Sequence, residues 1–222
     1  MNAYRIKKIF ITFFLSIVSS GCGSKDIHTK KEPLKKESAM TVKHIKIILG
    51  TTREQSMSAK IGLAVKKIAD KNMSITTEII NLTDYALPFL YEATAPAKRT
   101  VITDPAILKW SELISAADGF IFIVPEYNAG YPGALKNALD LLYKEWNNKP
   151  ALFVGHSGGP SGGQNALKQL EEVVLELNMI PIAPKVLIPT SWKALNPDSS
   201  LVEKEQELIF DKALDVLVKK LI

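Results

Sequence analysis

Cysteine is almost absent from this 222-residue chain, which has one, Cys22. From residue 23 onward there is therefore no disulfide, no thiolate nucleophile and no cysteine-based metal site. Histidine is scarce too, with only His28, His44 and His156. That scarcity decides how Gly155-His156-Ser157-Gly158-Gly159 is read. The stretch matches G-x-S-x-G, the spacing of a hydrolase nucleophile elbow, but that fold needs a histidine base later in the chain than the serine. None follows Ser157, and His156 points to the opposite side if the preceding strand continues. The residue order speaks against a serine hydrolase triad. Long apolar runs are lacking as well. Ile9 to Val18 is too short for a comfortable membrane span, which takes about 20 residues. A basic excess is missing from most of the chain. The formal charge is +5, yet residues 1–43 hold nine basic and three acidic residues, so −1 remains from His44 onward. A nucleic-acid partner loses its electrostatic support.

What is present at the N-terminus is a targeting pattern. Arg5, Lys7 and Lys8 precede the short apolar stretch, and Ser19-Ser20-Gly21-Cys22 follows it. A basic start, an apolar centre and small residues before a cleavage point describe a secretory signal over residues 1–22. The segment resembles a bacterial lipobox, in which the cysteine is lipidated and becomes the new N-terminus, although Ser19 stands where leucine is usual. Lipidation at Cys22 would anchor the protein to a membrane of the cell envelope. If translation starts at Met40, the product is cytoplasmic. Residues 23–43 are rich in Lys, Glu and Ser and read as a solvated linker.

From residue 44 the composition changes. Overall hydrophobic content of 46% with 23% charged residues suits a globular domain. Short apolar runs at Ile45–Leu49, Ile75–Leu82, Gly119–Val124, Ala151–Val154 and a proline-interrupted Ile180–Ile188 alternate with segments of helical periodicity, such as Ile61, Ala64, Val65 and Ile68. Another helix is expected to open near Asp104-Pro105. Five strands alternating with five helices predict a parallel sheet covered on both faces. Ligands of such sheets bind at the carboxyl ends of the strands.

Three loops that follow strands carry ligand-binding chemistry. Gly50 to Ser58, GTTREQSMS, offers hydroxyls at Thr51, Thr52, Ser56 and Ser58, a charge at Arg53 and a helix beginning near Ser58. That suits a phosphate, and equally an ordinary Ser-rich helix cap. It is neither a Walker loop nor a dinucleotide fingerprint. Pro125 to Asp140, PEYNAGYPGALKNALD, places Tyr127 and Asn128 where a buried strand would not, with Gly130 and Gly133 permitting close backbone approach to a flat ring. Tyr127 and Tyr131 either shape such a site or pack as partly buried aromatics. Gly155 to Gln164 exposes backbone through its glycines and suits a planar heterocycle. Trp110 and Trp146 sit at core spacing, whereas Trp192, between Pro189 and Pro197, could border the site from a neighbouring loop.

In this order and spacing, GTTREQSMS, PEYNAGYPGALKNALD and SGGPSGG resemble the NADPH-dependent FMN reductases, the flavodoxin-like quinone, azo and chromate reductases. The resemblance covers roughly Ile45 to Ile188, and the second stretch is its specific part. It implies that residues 44–222 form a flavodoxin-like α/β three-layer sandwich with a five-stranded parallel sheet in order 2-1-3-4-5. FMN would lie across the switch point. Thr51, Arg53, Ser56 and Ser58 would hold its phosphate. Pro125, Glu126, Tyr127, Asn128 and Gly130 would line the ring and ribityl chain, and Ser157, Gly158 and Gly159 the far edge of the ring. Hydride would pass from NADPH or NADH to FMN, and electrons then to a small acceptor such as a quinone or free flavin. No catalytic side chain and no metal are required. An FMN-binding electron-transfer module without NAD(P)H turnover is the alternative. Family members commonly form homodimers or homotetramers.

Overall fold

A computed structural model describes residues 41–221. The expected signal segment, Cys22 and most of the expected linker lie outside the described residues. Within them, the apolar runs become strands β1 (Lys43–Leu49), β2 (Ile75–Asn81), β3 (Gly119–Pro125) and β4 (Pro150–His156). The first strand thus begins at Lys43, one residue inside the expected linker. Between and after them lie helices α1 (Met57–Ala69), α2 (Pro105–Ser115), α3 (Gly133–Asp140), α4 (Gln164–Glu176) and α5 (Lys204–Lys219).

The sheet is parallel, and its strand order is β2-β1-β3-β4-β5. The fifth position is the proline-interrupted strand expected, in two pieces. Two short pieces, β5 (Ile180–Pro181) and β6 (Val186–Ile188), both pair with β4. Pro181 and Pro184 have no amide hydrogen to give the ladder, so a continuous strand is broken there. Ile182 N still donates to Ala151 O at 2.8 Å, which keeps the segment on the edge of the sheet.

Alternate residues face opposite layers. Ile48, Phe120, Phe122 and Phe153 pack with α2, α3 and α4 through Ile107, Trp110, Leu135, Leu139 and Leu170. Ile47, Ile121, Leu152 and Val154 pack with α1 and α5 through Ile61, Val65, Phe210 and Leu217. Every residue of β3 and β4 is buried, which is why those runs show no alternation of apolar and polar residues. Trp110 and Trp146 are fully buried, and their indole N–H groups donate to Ala138 O and Leu139 O. Asp104 caps α2 by accepting from the amides of Ala106 and Ile107, with Pro105 at the first helical position. The strand order reverses between β1 and β3. The loops leaving their carboxyl ends diverge there and open a crevice.

Candidate functional site

Four loops enclose a cavity of about 330 Å³ at this edge, a size usual for small-molecule sites. The β1–α1 loop supplies Arg53, Ser56 and Met57, along with Glu54 and Gln55. The end of β3 supplies Pro125, Glu126 and Tyr127. The end of β4 gives His156, Ser157 and Gly158, and a turn after β6 gives Ser191 and Trp192.

One end of the cavity is built for an anion. Ser56 is the N-cap of α1, its side chain makes no capping bond, and the first turn holds no acid. The amides of Met57 and Ser58 and the helix dipole therefore remain available to a negative group, while Ala59 N donates to Ser56 O. Arg53 adds a guanidinium, with Cζ 5.6 Å from the centroid of the Tyr127 ring. It pairs with no carboxylate among the described residues.

The β4 loop forms an open floor. A Cβ at Gly158 or Gly159 would meet nothing within 4 Å, so packing within the protein does not demand glycine at either position. Their amides donate to no acceptor among the described residues. Gly163 is different. Its φ is +91°, and a Cβ there would stand 2.5 Å from His156 N, so this glycine serves the fold.

Side-chain hydrogen bonds tie the loops to one another. Thr51 Oγ1 lies 2.8 Å from Tyr127 Oη, joining the β1 and β3 loops. Glu126 joins the β3 and β4 loops. Its Oε2 accepts from the amides of Asn165 and Ala166 at 2.9 and 3.3 Å, and its Oε1 from Ser161 Oγ at 3.0 Å and Asn165 Nδ2 at 3.2 Å. No side chain at the N-cap position, Gly163, caps α4, so Glu126 does so from another loop. Burial alone would raise this carboxyl. The bonds from Asn165, Ser161 and Ala166 outweigh burial and hold it below its usual value.

The third tie runs from α1 to β4, where Ser58 Oγ lies 2.8 Å from His156 Nε2. Ser58 is fully buried and His156 nearly so. Burial pushes the imidazole pKa down to about 4, so the ring is neutral at physiological pH. The buried hydroxyl and the neutral imidazole thus satisfy each other within the wall.

Of the residues expected to hold a phosphate, Arg53 and Ser56 face the cavity. The hydroxyls of Thr51 and Ser58 lie behind the wall, engaged by Tyr127 and His156. Of those expected around a ring, Pro125, Glu126, Tyr127, Ser157 and Gly158 form the wall, and Gly159 adjoins it. Glu126 lines the cavity while its carboxylate is turned to α4. Asn128 and Gly130 belong to the tight turn closed by Tyr127 and Gly130, with Asn128 at φ +50°. Tyr131 packs against the core, and burial raises its hydroxyl pKa to about 12. Ser157 Oγ donates to Gly159 O and accepts from Gly162 N, with Ser161 Oγ 3.0 Å away. No histidine among the described residues hydrogen-bonds to its Oγ, so the G-x-S-x-G spacing builds a loop rather than a nucleophile. Sequence reasoning missed the part played by His156. It also missed Met57 and Ser191. The turn carrying Ser191 follows a strand like the other three loops, and that position was the available signal.

A family model for NADPH-dependent FMN reductase matches residues 44–193, which span all four loops. The chain belongs to this family. Among FMN reductases it resembles the NAD(P)H-dependent FMN reductase of Schizosaccharomyces pombe, at 36% identity over 148 residues, 65% of this chain and 73% of that one. A quinone reductase of Pseudomonas putida is 29% identical over 144 residues, 61% of this chain and 71% of its own length. The solved structure of a flavoenzyme NAD(P)H:(acceptor) oxidoreductase from Paracoccus denitrificans superposes with a TM-score of 0.67 at 26% identity. It covers 81% of this chain and 99% of that one.

Proposed function

We propose that this protein is an NAD(P)H-dependent FMN oxidoreductase that passes hydride from NADPH or NADH to FMN and electrons onward to a small acceptor such as a quinone or free flavin. One observation carries the reading. A single cavity joins an anion-binding end, at Arg53, Ser56 and the uncapped start of α1, to a glycine floor with free amides at Gly158 and Gly159. FMN has a phosphate at one end and a planar, hydrogen-bonding ring at the other, so the residues present fit it.

When bound, FMN supplies the hydride acceptor and the electron relay. The protein binds and orients. Arg53 offsets the phosphate charge. The amides of Gly158 and Gly159 offer donors to the polar edge of the ring. Tyr127, fixed through Thr51, borders the ring, and the ties through Glu126 and His156 hold the loops in place before ligand arrives. The acceptor class is supported by the relatives named as quinone reductases. The Ser19-Ser20-Gly21-Cys22 pattern supports an envelope location through lipidated Cys22, and no described helix is long and apolar enough to cross a membrane. Exposed Phe89, Leu90, Tyr91 and Val101 support pairing of the domain with further copies.

Ligand binding followed by flavin fluorescence tests the orientation. Arg53→Ala should weaken FMN about tenfold or more, the scale of one charged hydrogen bond, and leave riboflavin, which lacks the phosphate, unchanged. Equal loss for both ligands would place the phosphate elsewhere.

A further inference from the structure

We infer that Trp192 and Lys193 form a docking platform for the adenosine end of the nucleotide co-substrate, with Lys193 reading a phosphate carried beside the base. This rests on the NAD(P)H reading given above. Residues Ser191–Lys193 form one 3-10 turn after β6. The turn is pinned to the cavity floor, because Thr190 N donates to Gly159 O at 3.1 Å and Ser191 N to Ser157 O at 2.9 Å. Ser191 and Ala194, on either side, are buried. Trp192 is nevertheless 63% exposed, on the cavity rim. A firmly held turn thus presents the largest apolar side chain to solvent at the mouth of the site.

A lone exposed aromatic needs no explanation. This one carries a cation. Lys193 Nζ lies 4.5 Å from the centroid of the indole, and it pairs with no carboxylate among the described residues. The other rim cation, Arg53, is taken up by the FMN phosphate in the proposed function. Of the two wall carboxylates, Glu126 is committed to α4, and Glu54 lies on the β1 loop beside Arg53. Lys193 is then the positive charge left for a second anionic ligand. An uncompensated ammonium over one face of a largely exposed indole suits a planar base that bears a phosphate: the base stacks on the other face, and the ammonium pairs with the phosphate. Both nicotinamide nucleotides carry the pyrophosphate on the 5′ position of the adenosine ribose, but only NADPH carries a further phosphate on its 2′ position. The platform therefore favours NADPH over NADH.

The test uses the FMN-loaded protein and two probes that cannot reduce flavin, adenosine 2′,5′-bisphosphate and 5′-AMP. Trp110 and Trp146 are fully buried, so quenching of tryptophan fluorescence reports on Trp192. The bisphosphate should quench and bind about tenfold tighter than 5′-AMP, the scale of one added charge pair. Lys193→Ala should erase that difference, Trp192→Ala, which removes the reporter and is read by titration calorimetry, should abolish binding of both, and neither should change FMN affinity more than about twofold. Equal binding of the two probes, or an unaffected Lys193→Ala variant, would overturn the inference. A large loss of FMN affinity would instead assign Trp192 to the flavin. A changed KM for a quinone with unchanged bisphosphate binding would assign it to the acceptor. If the bisphosphate binds as expected but NADPH does not reduce the flavin, the proposed oxidoreductase reading fails while the platform stands.

Discussion

His156 is a histidine whose burial decides its chemistry. Its folded pKa of about 4 lies below the ordinary 6.5, so the unfolded chain binds a proton more readily than the native one between those values. Stability is full above about pH 6.5 and falls as pH drops toward about 4, by about 3 kcal/mol in all. Denaturant unfolding measured across that range should show this acid limb, and His156→Gln should flatten it. The glycines of the β4 loop make a contrasting pair. Gly163→Ala forces a Cβ against the β4 backbone at positive φ and should cost about 2 kcal/mol or more. Gly158→Ala meets only open space and should leave stability within about 0.5 kcal/mol while weakening FMN binding. If Gly158→Ala kept full FMN affinity, the floor would not be where the ring lies.

At the scale of elements, the loops depend on α4 being capped from outside. Glu126→Gln loses the charge that faces the start of that helix and should destabilise the protein by about 1–2 kcal/mol. The carboxyl sits below its usual value in the fold, so its contribution is present above the unfolded pKa and disappears as pH falls through the lowered one. The pH dependence of thermal unfolding, compared between Glu126→Gln and the parent, checks the sign. The elements differ in how far the chain announces them. Strands β3 and β4 were legible because both faces are covered and each run is apolar, and β1 because its second half is buried and apolar. The start of α2 was legible because Asp104-Pro105 is a local signal. The interruption of the fifth strand was legible from its prolines, but the bounds of its two pieces were not, since periodicity does not say where Pro181 and Pro184 leave the ladder. The three loops were found from their glycines, hydroxyls and charge. Which hydroxyls face the cavity was not, because Ser58 with His156, and Glu126 with Ser161 and Asn165, are pairs 35 to 98 residues apart in the chain.

At the scale of the molecule, two apolar layers fix the sheet, and the reversal of strand order leaves one edge where loops meet without a covering helix. The net positive charge of the chain lies in residues 1–43, so recognition of an anion in the cavity falls to local groups rather than to a general field. FMN that binds only the folded domain must stabilise it. At a hundred times the dissociation constant the gain is about 2.7 kcal/mol, visible as a higher melting temperature in differential scanning fluorimetry. Riboflavin, lacking the phosphate that Arg53 meets, should give a smaller shift. The central claim is best tested by a visible absorption spectrum of the purified protein with FMN, recorded without oxygen before and after NADPH is added. We expect protein-bound flavin to bleach with NADPH and to recover its colour when a quinone is supplied. Bound flavin that stays oxidised with both NADPH and NADH would contradict the reductase in favour of an electron-transfer module, and a folded protein that binds no FMN would contradict the account as a whole.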